Sequence, residues 1–85
     1  MTVAEALRIA LNIEGITQAE LSSLTRLTEK HVSQLFTGKV PLSVDVALRI
    51  EAALTCVSAE ELMIAQARQQ VREARSARVQ PNGAF

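Results

Sequence analysis

The chain is predicted to be all-α, and three observations carry that prediction. Hydrophobic residues make up 48% of its 85 residues and aromatics only 2%, the Ala- and Leu-rich makeup of a small helical core. Apolar residues recur at three- and four-residue spacings, without the alternating β-branched runs of a sheet. Three S/T-x-x-E boxes, Thr2 with Glu5, Thr17 with Glu20 and Ser58 with Glu61, each offer a hydroxyl and a carboxylate to the free backbone groups of a first helical turn.

Taken in order, these signals predict five helices. The first follows Thr2, turns Ala6, Leu7, Ala10 and Leu11 inward, and stops at Gly15. The second follows Thr17, with Ala19, Leu21 and Leu24 as its apolar positions. Thr28 caps the third, which carries Val32, Leu35 and Phe36 and ends at Gly38. "KVPLS" reads as a turn because Pro41 has no amide donor, and Ser43 caps a fourth helix with Val44, Ala47, Leu48, Ile50 and Leu54 inward. A fifth runs from Ser58 to about Arg78, and the Pro, Asn and Gly of "VQPNGAF" predict a flexible tail over 79–85. The expected organisation is a bundle over 1–57, a C-terminal helix for dimerisation or partner docking over 58–78, and that tail.

Several function classes find no support. No apolar stretch approaches the roughly 20 residues of a membrane span, and the acidic, Ala-rich start lacks the pattern of a signal peptide, so a cytoplasmic location is expected. Cys56 is the only cysteine and has no companion at metal-ligand spacing; a buried thiol is expected, with no metal and no cofactor. His31 is the only histidine, no Ser-His-Asp or Cys-His set assembles around it, and no phosphate-binding glycine loop is present. Enzyme activity is not expected.

Two short helices joined by a turn of a few residues, inside a bundle of other small helices, is the layout of a helix-turn-helix, whose second helix enters the DNA major groove. The first helix braces the second, so both can be short and pack through Leu21, Leu27, Val32 and Leu35. The outward positions of the second are then Glu29, Lys30, His31, Ser33, Gln34 and Thr37, all polar and rich in groups that reach bases and phosphates. A merely solvated helix face carries the same pattern.

Gln18, Leu21, Leu27, Val32, Ser33, Leu35, Gly38 and Lys39 resemble the pattern of lambda-repressor-like (XRE-type) helix-turn-helix domains from Thr17 to about Met63. Within that group, "EKHVSQLFTGKVPLSVDVALRIEAAL" looks most like the HigA-type antitoxins. The resemblance implies a five-helix bundle in which Glu29, Lys30, His31 and Gln34 face the bases, Glu29 accepting from cytosine N4 and Lys30 donating to guanine. Gln18, Arg26, Ser33, Thr37 and Lys39 are then phosphate contacts. It also implies a homodimer on a palindromic operator, acting as a repressor in a bacterial or phage setting. Ser22 and Arg26 stand where the family commonly has Ala and Gly, and Leu62 stands where HigA-type antitoxins often have Trp; Gln66 matches their Gln. A left-handed backbone at Arg26 would cost on the order of 1 kcal/mol.

Formal net charge is +0, unlike the basic excess usual in nucleic-acid binders. The charges are unevenly placed, with residues 1–62 at −3 and residues 63–85 at +3. The expected reading surface is locally positive through Arg26, Lys30 and Lys39, so phosphate contacts are few per subunit and dimerisation is needed for useful affinity. On the C-terminal helix, Ile64, Ala67, Val71 and Ala74 form a narrow apolar stripe with Arg68, Arg72 and Arg75 beside it. That stripe is disordered, pairs with its twin, or docks on another protein; a coiled-coil-like homodimer seam is preferred. The expected function is a sequence-specific DNA-binding repressor. Its alternatives are an antitoxin that also binds a small ribonuclease toxin, and a helix-turn-helix protein-interaction module that binds no DNA.

Overall fold

The computed structural model describes residues 1–78 and consists of five helices: α1 (Val3–Glu14), α2 (Gln18–Thr25), α3 (Glu29–Thr37), α4 (Val44–Ala53) and α5 (Ala59–Arg78). The all-α, five-helix expectation holds. The tail expected over 79–85 lies outside the described residues.

Each helix begins where a side chain can replace the missing backbone acceptor. Thr2 and Thr17 make full reciprocal boxes with Glu5 and Glu20, and Thr28 and Ser43 accept from the His31 and Val46 amides at 3.0 and 3.2 Å. The two hydrogen bonds that Thr2 donates, from its hydroxyl first and its amide second, hold the Glu5 carboxyl below its ordinary pKa. At Ser58 the hydroxyl accepts from the Glu61 amide at 3.1 Å and donates to its carboxylate at 3.0 Å.

One core joins all five helices. Leu7 and Leu11 of α1, Leu21 of α2, Val32, Leu35 and Phe36 of α3, Ala47 and Ile50 of α4 and Leu62 of α5 are all buried in it. α1 packs on α3 and α5, α2 on α3 and α4, and α4 on α5. Leu42, in the link between α3 and α4, is held in place by the Gln66 side-chain amide of α5, which accepts from the Leu42 N–H and donates to its carbonyl at 2.7 Å. That two-point grip lets a buried loop satisfy its backbone without a strand partner. Glu51 accepts from the Ala59 amide at 3.0 Å, so α4 caps the start of α5.

Four apolar side chains expected inside point outward, Ala19 of α2 and three larger ones. Leu24, Val44 and Leu48 are 59%, 60% and 49% exposed. In α2 the inward row is Leu21, Ser22 and Thr25, because both hydroxyls find carbonyls at the turn and so bury without penalty. In α4 it is Val46, Ala47 and Ile50, a register that leaves Val44 and Leu48 facing solvent. Cys56 is exposed rather than buried, because the α4–α5 link runs over the surface; its thiol lies 3.8 Å from the Ala10 carbonyl.

The α4 register makes a direct test. Ile50→Ala is expected to lower stability by about 2–5 kcal/mol, and Leu48→Ala by less than about 0.5 kcal/mol, in urea unfolding followed by circular dichroism. Equal losses at the two positions would contradict this packing.

Candidate nucleic-acid interface

The candidate site is built from α2, the three residues Arg26–Thr28 and α3. α2 ends in a left-handed residue, Arg26 at φ 60° and ψ 29°. The Leu27 amide then reaches back to the Ser22 carbonyl at 3.2 Å, which closes the helix end. The Ser22 hydroxyl donates to the Leu27 carbonyl at 2.6 Å and the Thr25 hydroxyl to the Leu21 carbonyl at 2.7 Å. Ser22, Thr25 and Thr28 thus fix the turn from both sides, and only three residues separate the two helices. Arg26 is the one described non-glycine residue with positive φ. The hydroxyl network over-determines that conformation, which is how a fold absorbs such strain.

α3 ends in a second left-handed cap. Gly38 at φ 75° sends its amide to Leu35, and Lys39 sends its own to the Gln34 carbonyl at 3.0 Å, the paired bonds of a Schellman motif. Lys39 is therefore held at the end of α3 by backbone bonds, with its side chain free.

On α3, Val32, Leu35 and Phe36 are buried. At about 100° per residue, Lys30, Ser33, Gln34 and Thr37 share the opposite face, with Glu29 and His31 at its two edges. Glu29, Lys30, Ser33 and Thr37 are exposed; His31 and Gln34 are half-buried. Gln18, the first residue of α2, is exposed, as are Arg26 and Lys39. The expected contact residues accordingly all lie on the α2–turn–α3 unit or its immediate flank. The Thr37 hydroxyl donates to the Gln34 carbonyl at 3.2 Å and keeps its acceptor capacity outward.

Two arginines from outside the unit hold its helices, a role with no local signature in the chain. Arg8 of α1 donates to the Phe36 carbonyl at 3.1 Å, and Arg49 of α4 donates to the Thr25 carbonyl at 3.4 Å while pairing with Asp45 at 3.1 Å. Each places a cation on the C-terminal carbonyls of one helix, where the helix dipole is negative. Only the general preference for cations at helix ends could have hinted at this; the partners lie 28 and 24 residues away in sequence.

The same bonds resolve the charge puzzle. Glu5, Glu20 and Glu61 sit in capping boxes, Glu14 accepts from the Thr55 amide and hydroxyl at 2.8 Å each, Glu51 caps α5 and Asp45 pairs with Arg49. Most acids are thereby tied to internal bonds. Arg26, Lys30 and Lys39 pair with no carboxylate among the described residues.

The helix-turn-helix family profile HTH_3 matches residues 4–62, from α1 into the start of α5. The chain belongs to this helix-turn-helix family. Comparison with curated proteins returns no match. As an XRE-type helix-turn-helix protein it is a DNA-binding transcription regulator, and the matched span ends at Leu62, which with Ala59 carries α5 into the bundle core. Among the described residues no helix is long and apolar enough to cross a membrane.

In this helix-turn-helix protein the strained cap can be relieved. Arg26→Gly is expected to raise stability by about 1 kcal/mol, a melting-temperature rise of roughly 4–8 °C for a domain this small. A fall in melting temperature would show that the Arg26 side chain contributes more to the fold than its backbone costs.

Proposed function

We propose that the protein is a repressor that binds a palindromic operator as a homodimer and reads it through α3. The observation that carries this reading is the polar outward face of α3, with Arg26, Lys30 and Lys39 pairing with no carboxylate among the described residues and most acids committed to internal bonds. Glu29, Lys30, His31 and Gln34 take the base edges, Glu29 suited to the cytosine N4 donor and Lys30 to guanine acceptors. Gln18, Arg26, Ser33, Thr37 and Lys39 take phosphates and set the register of the helix in the groove. Repression then follows from occupancy of a promoter that polymerase also needs.

The HigA resemblance extends this reading to an antitoxin that controls its own operon and also holds a small ribonuclease toxin. The Gln66 shared with that group is the residue that grips Leu42 behind α3, which supports the likeness in architecture. A neighbouring reading frame for a small basic protein would favour this version. The interaction-module alternative is distinguished by the lack of any salt-dependent DNA complex.

Selection from a randomised duplex pool at several salt concentrations tests the reading. Enrichment of an inverted repeat, with half-sites about 10 bp or a multiple apart, is the expected outcome. On the selected operator, Lys30→Ala should cost about 1–3 kcal/mol and relax preference at one position, whereas Lys39→Ala should weaken all sequences alike and lower the salt slope by about 1. Unchanged sequence preference in Lys30→Ala would remove α3 from the reading role.

A further inference from the structure

Beyond the bundle, α5 continues as a lone helix. From Gln70 to Arg78 every residue is exposed, and the molecule measures 48 × 22 × 22 Å. The face that α5 turns to the bundle carries Ala59, Leu62, Gln66 and Gln69. Its apolar stripe, Ile64, Ala67, Val71 and Ala74, lies about 140° around the helix from that face, at about 100° per residue. Ile64 and Val71 are 50% and 46% exposed. The stripe is thus a second seam and not the edge of the core.

We propose that this seam pairs with the same seam of a second copy, and that the two α5 helices run antiparallel about a twofold axis passing beside Gln69. The proposal rests on the homodimer reading and names its interface.

Spacings of three, four and three residues place Ile64 and Val71 at one heptad core position and Ala67 and Ala74 at the other. In the antiparallel register, Ile64 meets the partner's Ala74 and Ala67 meets the partner's Val71, so every layer pairs one large side chain with one small one. A parallel pair would stack Ile64 on the partner's Ile64 and Ala67 on the partner's Ala67, alternating crowded and empty layers.

Charge makes the same choice. Glu61, Arg68 and Arg75 lie along one flank of the stripe, seven residues apart. In the antiparallel register Glu61 faces the partner's Arg75 at both ends of the seam, two attractive pairs against the single like-charge meeting of Arg68 with its own copy at the axis. In a parallel pair the two arginines face the partner's Met63 and Gln70, and no carboxylate meets them. The Ser58 hydroxyl engages Oε1 of Glu61 and leaves its other oxygen for such a contact, and Arg75 has no ion-pair partner among the described residues. A shallow depression of about 430 Å³ lined by Ala67, Arg68, Val71, Arg72 and Arg75 gives the partner's side chains a place to seat. The twofold axis makes the contact self-complementary, as a closed dimer requires.

The full-length chain should sediment as a concentration-dependent dimer. Val71→Glu, at a position exposed in the single chain, should match the original in helix content and melting temperature at dilutions where both are monomeric, and weaken dimerisation at least 10-fold. For register, single cysteines in a Cys56→Ser background are treated with a short bismaleimide. Arg68→Cys should cross-link to its own copy across the axis. Ile64→Cys should not, because in this register the two Ile64 positions lie about 15 Å apart along the helices. Cross-linking of Ile64→Cys but not Arg68→Cys, or a Val71→Glu protein as dimeric as the original, would overturn the proposal. The same Val71→Glu protein separates this outcome from failure of the DNA reading: weak, salt-dependent binding to a single half-site should persist in it. Loss of all DNA binding by the unaltered dimer would instead sink the operator reading and leave the seam standing.

Discussion

Helices of eight and nine residues do not persist alone in water, since nucleating a turn fixes several dihedrals for one hydrogen bond. α2 and α3 therefore depend on what holds their ends, and the rest of the molecule is arranged around that need. Thr17 and Thr28 close the N-termini, Arg26 and Gly38 close the C-termini, and Arg49 and Arg8 add a cation to each C-terminal carbonyl set. Because Arg8 comes from α1 and Arg49 from α4, the orientation of the reading unit is tied to the scaffold on both sides. A helix offered to a DNA groove must hold its angle, and here two guanidinium groups and one buried apolar row fix it.

The same economy governs charge. Six carboxylates take part in caps or cross-links, where each replaces a backbone or side-chain partner that would otherwise be missing. Two of the bundle's five cations brace the helices of the unit, and Arg26, Lys30 and Lys39 have no carboxylate partner among the described residues. Net charge sums over all of these and so hides the division of labour. A neutral chain can present a locally cationic surface when its acids are engaged elsewhere.

How far the sequence could be read follows from the range of each interaction. Helix starts were legible because a capping box is complete within four residues, and Thr2, Thr17, Thr28, Ser43 and Ser58 each precede an observed helix. The left-handed ends at Gly15 and Gly38 were legible from glycine itself, and the one at Arg26 only through the family resemblance. Faces were harder. α2 has only Leu21 as a buried aliphatic, so Leu24 looked equally suited to the interior until Ser22 and Thr25 were seen bonded to carbonyls. In α4, apolar residues occur all round the helix, and periodicity alone could not choose Val46 over Val44 and Leu48. The grips of Arg8, Arg49 and Gln66 span 24 to 28 residues and left no local trace. On the reading face itself, the outward set from Glu29 to Thr37 was legible because its complement, Val32, Leu35 and Phe36, is unambiguously apolar.

Weak phosphate contact and a narrow α5 seam belong to one thermodynamic design. In the proposed complex, three cations that pair with no carboxylate among the described residues would release few counterions per protomer, so one copy alone would hold any duplex weakly. The proposed seam of two large and two small apolar side chains per helix would likewise give only a modest dimer. Placed on a twofold operator, the two reinforce each other: whatever binds the dimer and not the monomer stabilises the dimer in proportion to that preference. On the proposed reading, operator DNA would assemble its own reader, and non-specific DNA, which offers no pair of half-sites, would not. Specificity in such a molecule resides as much in the requirement for two copies as in the side chains of α3.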